Sequence, residues 1–179
     1  MKRLTSLDYE ILFELMKNAK ISDRQLARKI GVSQATVTRR RTVLEKEKLL
    51  EYTAIPSFEK LGFEIMALSF SKWTSKAVTE MLPTEEFAKN VQIFFSKHPN
   101  VIFATTGGQG LEGMDSASIS IHTDYSDYVR WVNEIKANWG DYISTFKSYI
   151  ISLRSAQVVR QISFKHFGEY MSKTQSKMK

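Results

Sequence analysis

The chain has 179 residues, a hydrophobic fraction of 42%, no cysteine and a net charge of +7. This length fits one large domain or two small ones, and no apolar run approaches the ~20 residues that span a bilayer, so we expect no membrane association. The absence of cysteine excludes disulfide bonds and thiolate metal sites and favours a cytoplasmic location.

Positive charge is concentrated toward the two ends of the chain. Residues 1–60 carry +5, residues 61–153 carry −3 and residues 154–179 carry +5. A basic N-terminal region attached to an acidic body indicates a polyanionic partner for that region. A role in solubility alone is the alternative.

The first 50 residues predict three helices, the first over residues 7–18. The second begins after Ser22, whose side chain starts a capping box. Gly31 ends it, because the position after a helix often needs a left-handed backbone. One residue later, Ser33 caps a third helix over residues 34–48. Two helices joined by a tight glycine turn predict a helix-turn-helix, and a plain helical hairpin is the alternative.

The third predicted helix separates apolar from polar residues. At 100° per residue, Val37 and Leu44 face the domain core, and Arg41 lies beside them, partly buried with its guanidinium reaching outward to Glu45 or to phosphate. The opposite face has no large apolar side chain, so a major groove can admit it.

That outward face supplies the candidate DNA contacts, although a solvated face with incidental arginines is the alternative. Arg39 suits bidentate pairing with guanine, whereas Lys46 suits phosphate. The predicted DNA-binding residues are Ser33, Gln34, Ala35, Thr38, Arg39, Arg40, Thr42 and Lys46.

The remainder of the chain predicts a second, mixed domain. Residues 49–55 have the pattern of a short extended segment, a candidate wing, and residues 74–81 that of an irregular polar stretch. Strands are predicted over residues 63–70, 101–106, 116–122 and 143–153, with helices after Thr84 and after Thr123 or Asp124. The resulting β-α-β-β-α-β order is the ferredoxin-like arrangement. Its sheet has helices on one face only, and the apolar first strand favours a second copy on the other face.

The predicted fold class is therefore α+β, a winged helix-turn-helix followed by a ferredoxin-like domain. The predicted divisions are a DNA-binding domain over residues 1–55, a connector over 56–61, a dimerisation and effector domain over 62–153, and a basic C-terminal extension over 154–179. We expect the lysine-rich end of the extension, from about Ser172, to be frayed.

A glycine-rich loop over residues 107–115 is the second candidate site. Its four glycines let the backbone approach a ligand and expose N–H groups, and its aspartate can accept an ammonium group. A mobile loop that binds nothing is the alternative. The candidate effector-binding residues are Thr106, Gly107, Gly113, Met114 and Asp115.

A series of short motifs occurs in order through the first domain and its junction with the second. They are Leu7-Asp8, Ile11-Leu12, Leu15, Ile21-Ser22, Leu26-Ala27, Gly31-Val32-Ser33, Val37, Arg40, Leu44-Glu45, Leu49-Leu50, Tyr52-Thr53-Ala54 and Leu61-Gly62. With these motifs the chain resembles the Lrp/AsnC family of leucine-responsive, or feast/famine, transcription regulators, over about Leu4 to Leu153. The resemblance implies a winged helix-turn-helix, a hinge strand, an effector-sensing ferredoxin-like domain, and dimers that often assemble further, commonly into octamers.

The resemblance also gives the glycine loop a role. Gly113 and Asp115, with one residue between them, resemble a Gly-x-x-Asp pattern of the family, in which the loop helps to form an amino-acid pocket at a dimer interface. The chain departs from the family pattern at Arg41, usually aliphatic, and at Lys48, usually glycine. A left-handed backbone at a non-glycine residue there costs about 1 kcal/mol.

These patterns predict a sequence-specific DNA-binding transcription regulator, modulated by a small molecule such as an amino acid, with double-stranded DNA and a second copy of the chain as partners. We expect no catalytic residue, cofactor or metal, because His98, His122 and His166 lack metal-ligand spacing and are expected to be surface or structural residues. The alternatives are an enzyme similar in layout to the sirohaem decarboxylases, and an architectural DNA-binding protein without an effector.

Overall fold

A computed structural model describes residues 4–175 of the chain, apart from the side chains of Leu111 and Gln175. The chain divides into two compact units. We call Met1–Ile55 together with Arg160–Lys179 the helical unit, and Pro56–Val159 the sheet unit. The sequence pattern predicts that residues 154–179 form a separate extension, whereas Arg160–Lys179 is part of the helical unit.

The helical unit begins with three capped helices, α1 (Ser6–Lys17), α2 (Asp23–Ile30) and α3 (Gln34–Lys46). Thr5 and Ser22 form capping boxes at α1 and α2, and the Ser33 hydroxyl accepts the N–H of the third residue of α3. Gly31 ends α2 with a φ of 84°, a conformation that favours glycine. These caps satisfy backbone N–H groups that the helices leave unpaired, and they confirm the predicted starts and the tight turn.

The core of the helical unit consists of the apolar stripes of these three helices. Its fully or almost fully buried members are Ile11, Leu15, Leu26, Val37 and Leu44, with Ala27 beside them. Lys48 follows α3 with a φ of 55°, as the sequence predicts for the position that usually holds glycine. The N–H of the next residue, Leu49, donates to the carbonyl of Leu44 at 2.9 Å and closes the helix end.

A further helix at the C-terminal end, α6 (Lys165–Gln175), packs against α1 within the helical unit. Gly168 makes this approach possible, since a Cβ at that position would lie 2.9 Å from the Cβ of Met16 and 3.0 Å from the carbonyl oxygen of Phe13. The prediction of a frayed tail from Ser172 is therefore wrong for residues 172–175, and residues 176–179 lie outside the described part of the chain.

The sheet unit contains one four-stranded antiparallel sheet in the order β2-β3-β1-β4. Its elements are β1 (Ile65–Trp73), α4 (Glu85–Ser96), β2 (Val101–Thr105), β3 (Ser116–His122), α5 (Tyr125–Trp139) and β4 (Ile143–Ser152). Ala67 on β1 packs with Phe94 of α4 and Trp131 of α5, so both helices cover the same face. This arrangement confirms the predicted ferredoxin-like class.

Two predicted segments differ in the structure. Residues 49–55 contain no strand, because no described segment pairs with them, although the first two pack on the helical core. Ala77–Met81 forms one π-helical turn where the sequence predicts irregular structure. The Thr74 hydroxyl accepts the N–H of Ala77, whose side chain packs with Trp73 and Phe87 and so holds the turn against the core.

Within residues 4–175, no helix has the length and apolar character that crossing a membrane requires.

Candidate nucleic-acid interface

The outward face of α3 is exposed along its whole length. The predicted contact residues on it, all exposed, are Gln34, Ala35, Thr38, Arg39, Thr42 and Lys46, and the cap Ser33 is exposed beside them. The opposite side is anchored by Val37 and Leu44, both at 0% exposure. The helix therefore presents a continuous polar surface from a rigid base.

Two cations on this face have no partner among the described residues. The side chains of Arg39 and Lys46 make no hydrogen bond or ion pair with any residue from 4 to 175. The hydroxyls are engaged instead: Thr38 donates to Asp23 at 2.7 Å, and Thr42 donates to the carbonyl of Thr38 at 2.9 Å. A bound hydroxyl still accepts a hydrogen bond, but the two cations are the groups with full donor capacity.

Arg40 is held inside the helical unit. Its guanidinium makes a two-point contact with Asp8, with Nε donating to one carboxylate oxygen at 2.6 Å and Nη2 to the other. Asp8 is completely buried and also accepts the N–H and hydroxyl of Thr5 at 2.7 Å. Burial raises the pKa of Asp8, but the hydrogen bonds from Arg40 and Thr5 outweigh it and leave the pKa below its ordinary value. The pair fixes α3 to α1, and a DNA contact by Arg40 stays a prediction.

Arg41 connects α3 to α2 and to the segment that follows α3. Its guanidinium donates to Asp23 at 2.9 Å, lies 3.4 Å from Glu45, and stands over the Tyr52 ring with its carbon 4.9 Å from the ring centre. Its side chain is 21% exposed, so the predicted partial burial and the predicted partner Glu45 are both confirmed. The hydrogen bond from Thr38, followed by that from Arg41, lowers the pKa of Asp23.

Sequence reasoning missed the three groups that position this helix, Asp8, Asp23 and Tyr52. A signal exists for Asp8, because it occupies the third position after Thr5 and lies on the apolar stripe of the first helix. A buried carboxylate in such a stripe indicates a cationic partner, and the arginines of α3 are candidates for it.

The charge of the two units differs in sign. The helical unit has 17 Lys and Arg against 8 Asp and Glu, a net +9, whereas the sheet unit has 9 against 11, a net −2. The helical unit is more basic than the N-terminal region alone, because residues 160–179 belong to it. Its charge suits a polyanionic partner.

The glycine loop of the sheet unit brings its two ends together. The N–H of Gly110 donates to the carbonyl of Met114 at 2.7 Å, and a Cβ on Gly108 would lie 3.6 Å from the carbonyl oxygen of Asp115. Gly113 has a φ of 73°. Of the other predicted effector residues, Gly107 is exposed, Thr106 is half-buried, and Met114 is buried.

The carboxylate of Asp115 already has a structural partner. Its two oxygens accept the backbone N–H of Trp73 at 3.1 and 3.3 Å, while its own N–H donates to the carbonyl of Ser71 at 3.0 Å. Asp115 thereby attaches the loop to the end of β1. A carboxylate has about four acceptor sites, so this contact leaves capacity for an ammonium group.

A row of three polar side chains, Ser120, His122 and Asp127, lies elsewhere in the sheet unit. The Ser120 hydroxyl lies 2.8 Å from His122 Nε2, and His122 Nδ1 lies 3.4 Å from the Asp127 carboxylate. Ser120 and His122 are both fully buried, so a substrate has no access to this hydroxyl. The row is therefore structural, as expected for His122. Within residues 4–175, no group of three or more His, Asp or Glu side chains is placed to hold a metal ion.

Comparison with known proteins agrees with this geometry. A family model described as winged helix-turn-helix DNA-binding matches residues 4–51. Residues 4–51 are therefore similar to winged helix-turn-helix DNA-binding domains. An uncharacterized HTH-type transcriptional regulator of Pyrococcus horikoshii is 39% identical over 62 residues, which are 35% of this chain and 39% of the relative. A second such regulator, of Pyrococcus furiosus, is 30% identical over 79 residues, 44% of this chain and 53% of the relative. The matches thus span about half, or less, of these relatives.

Solved structures extend the similarity to both units. The AsnC family transcriptional regulator from Agrobacterium tumefaciens has a TM-score of 0.68 at 17% identity, covering 91% of this chain and 99% of that one. The Neisseria meningitidis regulator NMB0573, solved in complex with L-Met, has a TM-score of 0.68 at 16% identity, covering 90% and 96%. Escherichia coli AsnC has a TM-score of 0.59 at 20% identity, covering 89% and 98%. The resemblance to the Lrp/AsnC family is confirmed in the fold.

Proposed function

We propose that this protein is a sequence-specific DNA-binding transcription regulator of the cytoplasm that reads the major groove with α3. The observation that carries the proposal is the polar face of α3, which leaves Arg39 and Lys46 unpartnered while two ion pairs fix the helix from behind. The planar guanidinium of Arg39 suits O6 and N7 of guanine, and the ammonium of Lys46 suits a phosphate.

The test separates base readout from phosphate contact. A preferred site is first selected from random DNA at a stated salt concentration, and each variant is then measured on that site and on bulk DNA. We expect Arg39→Ala to lose about 1–3 kcal/mol on the preferred site and to relax specificity at one position. We expect Lys46→Ala to weaken all sequences alike and to lower the salt slope by about one unit.

A matched control is available in the sheet unit. Arg130 on α5 has an exposed side chain, and Arg130→Ala removes the same charge without touching α3. We expect no change in specificity for this control. Equal loss for Arg39→Ala on selected and bulk DNA would reduce Arg39 to a phosphate contact. Failure of the pool to yield a preferred site would favour the architectural alternative.

We also propose a homodimer formed by the face of the sheet that the helices leave uncovered. One apolar row crosses all four strands on this face, through Phe103, Ile119, Leu68 and Tyr149, which are neighbours in the pairing register. The two ends of the row, Phe103 and Tyr149, are 54% and 68% exposed in the single chain. A second copy on this face buries the row and presents two copies of α3 to a palindromic site.

Charge placed in this row tests the dimer. We expect wild type to scatter light as a dimer at micromolar concentration and Tyr149→Lys to shift it toward the monomer. Tyr125, which is 62% exposed on α5, provides the matched control, and Tyr125→Lys is expected to leave the dimer intact. A wild-type monomer at these concentrations would end this part of the proposal.

An amino-acid effector at the glycine loop completes the proposed function. Its support is the remaining acceptor capacity of Asp115, the exposed glycines Gly107, Gly108 and Gly110 of the loop, and the L-Met bound by the similar Neisseria regulator. We expect at least one amino acid to raise the melting temperature saturably. If none of the twenty does so, the loop serves only the structure.

A further inference from the structure

The helix-covered face of the sheet contains polar residues where a sheet core is ordinarily apolar. Ser69 and Ser71 on β1 and Ser116 and Ser118 on β3 occupy positions that face the helices. Serine is small, so these positions leave space beneath the aromatic side chains of α4 and α5. The result is a cavity of about 60 Å³, several times the ~10–15 Å³ that a single water requires.

Three of the residues that line this cavity have buried hydrogen-bonding groups without partners. Among the residues that the structure describes, four buried side-chain atoms lack a hydrogen-bond partner, and three of them belong to lining residues: Nε1 of Trp73, Nε1 of Trp131 and Oγ of Ser116. The two tryptophans are only 7% and 4% exposed. Leaving such a donor unsatisfied costs about 1–3 kcal/mol, so a molecule that accepts from both indole groups is favoured.

The lining also determines the charge of the occupant. None of the residues around the cavity is ionisable, and most of the wall is aromatic or aliphatic. An ammonium or carboxylate group would lose its hydration there without a counter-charge. The amino acid proposed for the glycine loop is therefore excluded from this cavity.

We propose that the cavity is a binding site for a small uncharged molecule that carries a hydrogen-bond acceptor on an otherwise apolar body. The acceptor lies against the indole N–H groups of Trp73 and Trp131, and the body contacts the aromatic wall. This site lies on the opposite side of the sheet from the proposed dimer surface and is independent of DNA binding by α3.

The three tryptophans of the chain make the site directly observable, because Trp73, Trp131 and Trp139 all line the cavity. In a ¹H–¹⁵N correlation spectrum of the 179-residue chain, each gives one indole signal. Tetrahydrofuran is the probe, since it has five heavy atoms and one ether acceptor. Cyclopentane has the same ring size without the acceptor and is the matched control.

We expect tetrahydrofuran to shift the indole signals of Trp73 and Trp131 saturably, at roughly millimolar concentration, and cyclopentane to have a much smaller effect. Trp131→Phe, which keeps an aromatic ring but removes the donor, is expected to weaken binding about fivefold to tenfold. Tyr125→Phe is the control variant, because it removes a donor from an aromatic side chain on α5 that is exposed and does not line the cavity. Its binding is expected to change less than twofold.

Two outcomes would overturn the proposal. Equal shifts with cyclopentane would show a simple apolar void without a role for the indole donors. No saturable shift with tetrahydrofuran in the folded wild-type protein would show a cavity that only internal water fills. Both readings use the wild-type chain, so a folding defect in a variant does not affect them.

Discussion

The helical unit and the sheet unit use their carboxylates in different ways. In the helical unit, Asp8 and Asp23 engage Arg40 and Arg41, and these pairs orient α3 while its outer cations stay unpartnered. In the sheet unit, the carboxylate expected to bind a ligand, Asp115, is attached to the backbone of β1. Exposure alone therefore does not identify a functional residue. What distinguishes one is whether its polar atoms already have partners within the fold.

The strongest test of this comparison is removal of the buried carboxylate of the helical unit. Breaking a buried ion pair costs about 3–5 kcal/mol, and the partial exposure of Arg40, whose side chain is 27% exposed, reduces this because the freed guanidinium reaches water. We expect Asp8→Ala to lower the free energy of unfolding by about 2–4 kcal/mol, part of it from the lost cap at Thr5. Urea unfolding measures the change.

A double-mutant cycle with Arg40→Ala then isolates the pair. If the pair holds α3, the two losses are less than additive, with a coupling of about 1 kcal/mol or more. Strictly additive losses would mean that the ion pair between Asp8 and Arg40 contributes nothing to stability and that Arg40 is free to bind DNA.

Much of the helical unit is predictable from sequence because its signals are local. The caps at Ser22 and Ser33 and the left-handed turn at Gly31 depend on neighbours within four residues. The Asp8–Arg40 pair is not predictable in this way, since 32 residues separate its members and only the packing of α1 on α3 brings them together. The docking of α6 on α1 is similarly non-local, although Gly168 inside a helix indicates a close approach.

The second test concerns Asp115 and separates its structural role from its proposed role. Asp115→Ala leaves the Trp73 N–H without its acceptor, so we expect a loss of about 1–3 kcal/mol in the unfolding of the sheet unit. Asp115→Asn retains an amide oxygen for that contact but no charge for an ammonium group. Tryptophan fluorescence follows the unfolding.

The asparagine variant makes the second test decisive. If Asp115 serves the effector, Asp115→Asn keeps most of the stability and loses the amino-acid-induced thermal shift. An unchanged shift would place the effector elsewhere.

The third test uses pH to distinguish the two units. Burial lowers the pKa of His122 below its ordinary value of ~6.5, against the attraction of Asp127. Below pH ~6.5 the unfolded chain takes up a proton that folded His122 does not, so its contribution is complete above that pH and is lost as the pH falls. Asp8, also with a lowered pKa, keeps its contribution until the pH falls below ~3.9 and loses it toward the lowered value.

The tryptophans make this difference measurable, because all three lie in the sheet unit. We expect urea midpoints followed by tryptophan fluorescence to decrease between pH 7 and 5, and His122→Gln to remove that part of the decrease. The same pH dependence in wild type and His122→Gln would show that other groups cause it.

The candidate sites differ in how far sequence predicts them. Helical periodicity identifies the outward position of Arg39, since burial of Val37 and Leu44 fixes the orientation of the helix. The hydrogen bond between the Trp73 N–H and the Asp115 carboxylate depends on the register between β1 and β3, which glycine spacing does not encode. The cavity beneath the sheet is also beyond sequence reasoning, because it results from serines on two strands and tryptophans on β1 and α5.

The smallest expected effect concerns the end of α3, where sequence and structure agree. Lys48 adopts a φ of 55°, a region in which a side chain is strained and glycine is not. Lys48→Gly relieves about 1 kcal/mol of strain but also increases the freedom of the unfolded chain, so we expect a net stabilisation of up to about 0.5 kcal/mol.

Glu47 is the matched control because it is the preceding residue and has a φ of −81°, which any residue adopts. Glu47→Gly therefore gains nothing in the folded state and is expected to lose about 0.5–1 kcal/mol through unfolded-state entropy. The two substitutions remove charges of opposite sign. Urea unfolding is therefore carried out at 1 M salt, where the Debye length is only ~3 Å and charge effects are screened. Opposite signs for the two variants support strain at Lys48. Equal destabilisation by both would mean that the left-handed turn after α3 costs the lysine nothing.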